Sequence, residues 1–414
     1  MGAVLRIDSN ITKEQFSGHT GLTDVYIEDG VTEIGTWAFA DCKNLKTIRL
    51  PEGIERIPRE AFANCGSLVS VKVPDSVLHI DDGAFKECAS LENIKFGANL
   101  QSIGNKVGTT FDELKWNAVR IISPVGVFKN CKQIKSITLP DSLTIIGDSA
   151  FQGCENLNEI NIPNGITILG KGTFGSCYKL HEITLPNSLT IIGVYAFGNC
   201  NNLQVVNVGN SLTEVQPQAF MNCSNLLSIN FPATLKTVGC QAFFRCNKLN
   251  RVNFCSVPVL GDHSFQDCSS IDQIILPKSD QVLKRSIFSN CSGLNKEFFL
   301  EHIEEFENDY LNSGSSVYQN ETFFAFLPFL DGGGKSAFDR YISSHRRPLA
   351  LKLMSDPKMH EHFIRLSKYL ITPQNYEELV NHATKEKLTE ITAVLLDWSK
   401  DKGSRLNPYK HLSL

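Results

Sequence analysis

The phrase Phe-x-x-Cys-x-x-Leu returns along this chain in nearly constant phase, and it limits the fold more than any other feature. It stands at Phe39, Cys42, Leu45, at Phe62, Cys65, Leu68, and at Phe85, Cys88, Leu91. It resumes at Phe128, Cys131, Ile134 and runs through Cys154, Cys177, Cys200, Cys223, Cys246 and Cys268 to Phe288, Cys291, Leu294. The step is 23 residues from Phe128 through Phe151, Phe174, Phe197 and Phe220 to Phe243. A unit of that length cannot bury its own Ile, Leu and Phe. Stacked copies turn those positions into continuous ladders, which is the logic of a solenoid.

One unit reads CENLNEINIPNGITILGKGTF, from Cys154 to Phe174. Ile160 and Ile162 alternate as in a strand with one buried face. Pro163 removes a ladder donor and ends that strand, and Asn164-Gly165 suits a turn. Ile166-x-x-Leu169 forms a second extended piece, bent at Gly170. The following KGTFGSC fits a short helical turn that closes the coil. Phe and Cys then lie inside that turn, where a small, buried thiol packs as an inert hydrophobe under the Phe ladder.

Residues between the buried strand positions point outward from the first strand. One outward column runs through Asp24, Thr47, Ser70, Asn93, Ser136, Glu159, Glu182, Val205, Ser228, Arg251 and Gln273. The other runs through Tyr26, Arg49, Lys72, Lys95, Thr138, Asn161, Thr184, Asn207, Asn230, Asn253 and Ile275. Arg49, Lys72 and Lys95 make a basic strip, and Asn161, Asn207, Asn230 and Asn253 belong to the polar run after it. A continuous polar face is where a solenoid is expected to meet a partner, and the strip favours an acidic one.

The segments LNEINIPNGITILGKGTFGSC and LHEITLPNSLTIIGVYAFGNC resemble the BspA-like, or treponemal, class of leucine-rich repeats over about residues 20–295. The resemblance implies an α/β fold: a curved leucine-rich repeat solenoid with a parallel sheet on the concave side and short helical or irregular closing turns. It also implies a non-enzymatic module that binds a protein through the concave face. The alternative it offers is a surface or secreted adhesin that binds host proteins. The expected layout is a cap at 1–20, a solenoid at 21–295 of about eleven coils, and an α-helical C-terminal domain at 296–414.

Between Phe85 and Phe128 the step is 43 residues, so about 105–125 is an insertion. It leaves the array after Gly104 and carries Phe111 and Trp116, a second candidate for partner contact. Beyond Leu294 the apolar period becomes helical. Thr372 and Pro373 suit a helix start, Leu379, Val380 and Ala383 a buried stripe, and Ile391, Val394 and Leu395 a second one. This pair is similar to an ankyrin-type hairpin.

Chemistry-bearing motifs are scarce. DGGGKS, Asp331 to Ser336, lacks the first glycine of a phosphate-binding loop, where Phe329 stands. His360 and His362 lie two apart and diverge on a helix, and no C-x2-C pair occurs. The expectation is no cofactor, no metal and no catalysis. A net charge of −4 gives no basic excess for nucleic acid, and no apolar run suits a bilayer. The first residues lack the basic and apolar regions of a secretory signal. With 13 cysteines, an odd number, the chain is expected in the reducing cytoplasm, or at the surface if a signal was removed.

Overall fold

A computed structural model describes residues 3–104, 125–277, 285–291 and 293–294, individual positions between 347 and 370, and 371–401. The chain divides into two compact units, a repeat array of Met1–Pro277 with Ser286–Leu294, and a second unit of Lys278–Arg285 with Asn295–Leu414. From Thr47 to Leu260 each coil of the array supplies two short parallel strands. The first strands, among them Thr47–Arg49, Ser70–Lys72 and Asn93–Lys95, pair in register, Thr47 with Ser70 and Ser70 with Asn93. The second strands, such as Ile168–Leu169 and Ile191–Ile192, form two further parallel ribbons. Between them, Pro163 accepts a bond from the Ile166 amide at 3.1 Å, so the Pro-Asn-Gly sequence makes the expected turn.

After several second strands the coils approach so closely that a glycine is required, as at Gly170, Gly193 and Gly239, whereas Pro58, Asp81 and Gln216 hold that place in other coils. A Cβ on Gly193 would stand 2.5 Å from the Leu169 carbonyl oxygen and 2.8 Å from that of Gly170. The closing turn is not the helical turn expected from KGTFGSC. Two residues four apart take left-handed backbone, as at Glu60 (φ 53°) and Asn64 (φ 62°), which breaks any helix. The later of these sites is held by Asp41, Asn64, Asn130, Asn199 and Asn222 in their coils. Their side chains also ladder, the Asn222 amide donating to Asn199 at 2.8 Å.

Inside the turn the phenylalanines stack. Ring centroids lie 5.6 Å apart from Phe151 to Phe174 and 5.4 Å from Phe174 to Phe197, and all three rings are fully buried. The thiols beneath them are buried as expected, and they also donate hydrogen bonds. Cys200 donates its S–H to the Phe174 carbonyl at 3.1 Å, and Cys177 donates to Phe151 at 3.3 Å. The same carbonyl of Phe174 accepts its own coil's Cys177 amide at 3.1 Å. Both lone pairs of a buried carbonyl are thereby used, one within the coil and one between coils. The pattern holds from Cys42, which donates to Phe16, to Cys291, which donates to Phe265.

Burial pushes Cys42 up to about 11 and Cys88, Cys154 and Cys200 up to about 12, so these four remain protonated donors at neutral pH. All 13 cysteines are free, and only Cys240 and Cys255 lie outside the buried column. In the native protein a thiol reagent should therefore react at once with the exposed Cys255 and more slowly with half-buried Cys240. The eleven column thiols should react only on denaturation; fast native labelling of most of them would show an open column.

Residues 1–20, expected as a cap, contain a coil of the same kind. Ala3–Ile7 pairs with Leu22–Ile27, Ile11 bridges Ile34, and Phe16 stacks on Phe39 at 5.2 Å. The column also passes the insertion unbroken. Phe85 stacks on Phe128 at 5.5 Å, Cys131 donates to Phe85 at 3.1 Å, and Ile103 pairs with Ile146. The inserted residues 105–124, with Phe111 and Trp116, lie outside the described residues.

In the second unit, helix α1 (Tyr376–Lys385) and helix α2 (Thr389–Asp401) are joined at Lys387, whose φ is 56°. Helix α1 begins at Tyr376 rather than beside Thr372, because Asn375 is its cap residue. Thr372 still takes part: its amide donates to Asn375 Oδ1 at 2.8 Å, and its carbonyl accepts the Tyr376 amide at 3.0 Å. Leu379, Val380, Ala383, Ile391 and Leu395 are buried together, and Val394 is half-buried. His360 donates to or accepts from no metal-binding set among the described residues; its Nε2 lies 2.9 Å from the Met354 carbonyl. DGGGKS and the His362 side chain lie outside the described residues.

Candidate functional site

The outward face of the first strands is an ordered polar surface. Its buried partners fix it: Ile48, Val71, Ile183 and Val206 face inward, so their neighbours must face out. Register then aligns Tyr26 with Arg49, Arg49 with Lys72, and Lys72 with Lys95. Adjacent members are about 4.8 Å apart at the backbone. The structure adds Arg6, which registers with Tyr26 and so extends the strip by one coil. Its guanidinium sits 5.3 Å from the Tyr26 ring centre and 3.1 Å from Glu28.

The strip is less free than its sequence suggests. Arg49 Nη2 donates to both carboxylate oxygens of Asp29, at 2.8 and 2.9 Å, and Nη1 donates to the Ile27 carbonyl at 2.9 Å. That guanidinium holds the Asp29 carboxyl below its ordinary range. Lys72 lies 3.9 Å from Glu52, both well exposed, a contact of little energetic worth. Each acid stands 20 residues before its cation, in the turn that ends the preceding strand. Asp75 holds the same offset from Lys95 but accepts the Ala98 amide instead, at 2.8 Å. Among the described residues no carboxylate pairs with Lys95. The column beside the strip also carries a fixed charge: Thr47 donates to Asp24 at 2.6 Å and lowers its carboxyl.

The asparagines divide. Asn161 is committed to the backbone: its Oδ1 accepts the Leu139 amide at 2.7 Å and its Nδ2 donates to the Leu139 carbonyl at 2.9 Å. This side chain replaces a strand pairing, which is why the strand there is only Glu159–Ile160. Asn207 donates to Thr184 at 3.1 Å and to Glu182 at 3.3 Å. Asn230 and Asn253 sit side by side in register, Asn230 exposed and Asn253 half-buried. The face therefore offers cations at one end, the carboxylates Glu159 and Glu182 midway, and amides with Arg251 at the other end. No helix among the described residues is long and apolar enough to cross a membrane.

The repeats match the model of the BspA type leucine rich repeat region over residues 9–125, 117–227 and 215–320. Among solved structures, a leucine-rich repeat protein from Bacteroides ovatus is similar at 26% identity and a TM-score of 0.54, covering 73% of this chain and 74% of that one. A leucine-rich repeat protein from Eubacterium ventriosum is similar at 24% identity and a TM-score of 0.44, covering 69% of this chain and 82% of that one. No curated protein matches the sequence.

Proposed function

The chain belongs to the BspA-type leucine-rich repeat family, and from that premise we propose that it is a non-enzymatic scaffold that binds a protein partner through the concave face of its first sheet. The observation that carries this reading is the register: within the ladders from Ala3 to Lys95 and from Glu182 to Ile275, side chains of unlike chemistry leave the sheet at fixed spacing. Such a face loses little conformational freedom on binding. The partner presents acidic groups to Arg49, Lys72 and Lys95, and hydrogen-bonding groups to Asn207, Asn230 and Asn253. Lys95 is the strongest of the three cations for this purpose, since Arg49 already shares its charge with Asp29. Asn161 contributes to the fold and not to contact. A reducing compartment is supported by exposed Cys255 alone, because the eleven buried thiols would survive oxidising conditions as well.

The test is capture of partners from native lysate by the wild-type chain and by the Arg49→Glu, Lys72→Glu, Lys95→Glu variant, followed by affinity measurement across ionic strengths. The variant should bind the captured partner on the order of tenfold more weakly, and with a flatter salt dependence. Unchanged affinity and an unchanged salt slope would remove the strip from the interface and direct attention to the insertion with Phe111 and Trp116.

A further inference from the structure

A second group of cations lies off the sheet face, along the rim between the closing turn and the first strand. Lys135, Asn158 and His181 directly follow the buried Ile134, Leu157 and Leu180 in three successive coils. Asn156 and Lys179 directly precede Leu157 and Leu180. These five side chains line a hollow of about 380 Å3. The backbone sets their spacing, since the Asn158 amide donates to the Lys135 carbonyl at 2.9 Å and the Lys179 amide to the Glu155 carbonyl at 3.1 Å.

The charges here are not answered locally. Lys132, just outside the hollow, pairs with Glu155 at 2.8 Å. Among the described residues neither Lys135 nor Lys179 pairs with a carboxylate. Glu159 and Glu182, next to Asn158 and His181, belong to the alternate positions that face outward from the sheet. Two ammonium groups beside one hollow repel each other, and an anion between them relieves both. The amides narrow the choice. Asn156 Nδ2 spends one of its two N–H groups on the Lys132 carbonyl at 2.9 Å, which leaves one N–H and the carbonyl oxygen, an acceptor. A bare oxyanion cannot satisfy an acceptor, whereas a hydroxyl can. Asn158 offers both a donor and an acceptor.

We propose that this hollow binds an anionic saccharide, with the anionic group between Lys135 and Lys179 and ring hydroxyls on Asn156, Asn158 and His181. The hollow is within the size range of small-ligand sites, which begins at roughly 300 Å3. The sugar's charge could reside in a sulfate ester or in a uronic carboxylate; both place oxyanion oxygens at the same lysines. This site is independent of the partner proposed for the concave face.

The test is equilibrium binding of the full chain to sulfated and to uronic-acid oligosaccharides. Neutral oligosaccharide, inorganic sulfate and polyglutamate serve as comparison probes. Saturable binding of either charged saccharide is expected, and which of them binds identifies the anionic group. Lys135→Gln with Lys179→Gln should weaken it on the order of tenfold, and Asn158→Ala by several-fold. The Arg49→Glu, Lys72→Glu, Lys95→Glu variant should bind the saccharide like wild type. Absence of saturable binding to both charged saccharides would overturn the proposal. Equal binding by the lysine variant with unchanged thermal unfolding, or tighter binding of polyglutamate than of either saccharide, would do the same.

Discussion

Above about pH 9 the array should lose stability steeply, because denatured thiols ionise there while the buried column holds its protons. Burial raises ten thiols, from Cys42 and Cys65 to Cys246 and Cys291, above their ordinary value. The denatured state then binds fewer protons than the native state, so stability falls as pH rises. Their contribution is complete below the denatured thiol value and is lost as pH climbs toward the folded values, about 11 at Cys42 and about 12 at Cys88. Each such thiol removes about 1.4 kcal/mol per pH unit, so ten acting together reach on the order of 10 kcal/mol per pH unit. Each native thiolate would also lose its S–H donation to a Phe carbonyl and repel the next thiol in the column. Alkaline unfolding should therefore be abrupt. Denaturant midpoints measured across alkaline pH, with thiolate absorbance followed in parallel, check this. Thiolate that appears gradually near pH 9 in a still-folded protein would show that the column does not hold its protons.

Phe174→Ala should cost about 3–5 kcal/mol, toward the upper end of that range. The ring is fully buried and stacked on both sides, against Phe151 and Phe197. Its surroundings cannot close over the gap. The Phe174 amide donates to the Ala196 carbonyl at 2.7 Å, and its own carbonyl takes both the Cys177 amide and the Cys200 thiol. Coil spacing is fixed by these bonds, so the space left by the ring remains. Coils contact only their neighbours, so a weakened coil in mid-array should also divide one unfolding transition into two. Phe16→Ala, in the first coil with a half-buried ring, should cost less and leave a single transition. Denaturant unfolding followed by circular dichroism separates the outcomes. A loss below about 1 kcal/mol at Phe174 would mean that the ladder relaxes around the gap.

The inside of the array was legible because a buried ladder tolerates few residue types at each position. Phe85 and Phe128 announced an insertion, and their stacking shows that the array closes over it. The first coil was harder to read. Phe16 stands 23 residues before Phe39, and Ile11 23 before Ile34, but His19 replaces the expected cysteine. The thiol's hydrogen bond could not be read from sequence, since it depends on where the preceding coil places a carbonyl. The closing turn reads as helical in the sequence because two left-handed residues leave only a weak signature, an Asn or Asp four residues after a Trp or Glu and beside the cysteine. On the outer face the columns were legible but their pairing was not. Arg49 finds Asp29 and Lys72 nears Glu52 across coils, at an offset of 20 residues rather than 23. Asn161 gave no sign that it would replace backbone pairing.

The division of labour between an invariant interior and a binding exterior face is tested most directly by photo-cross-linking. A photoreactive side chain is placed at Lys72, on the outward face, and separately at Lys43, exposed just after the closing turn. Each protein is irradiated in native lysate, and the cross-linked products are compared. The Lys72 position should yield a discrete protein adduct, suppressed by the Arg49→Glu and Lys95→Glu changes, while Lys43 yields none above background. A discrete adduct from Lys43 with none from Lys72 would contradict the assignment of the concave face as the binding surface.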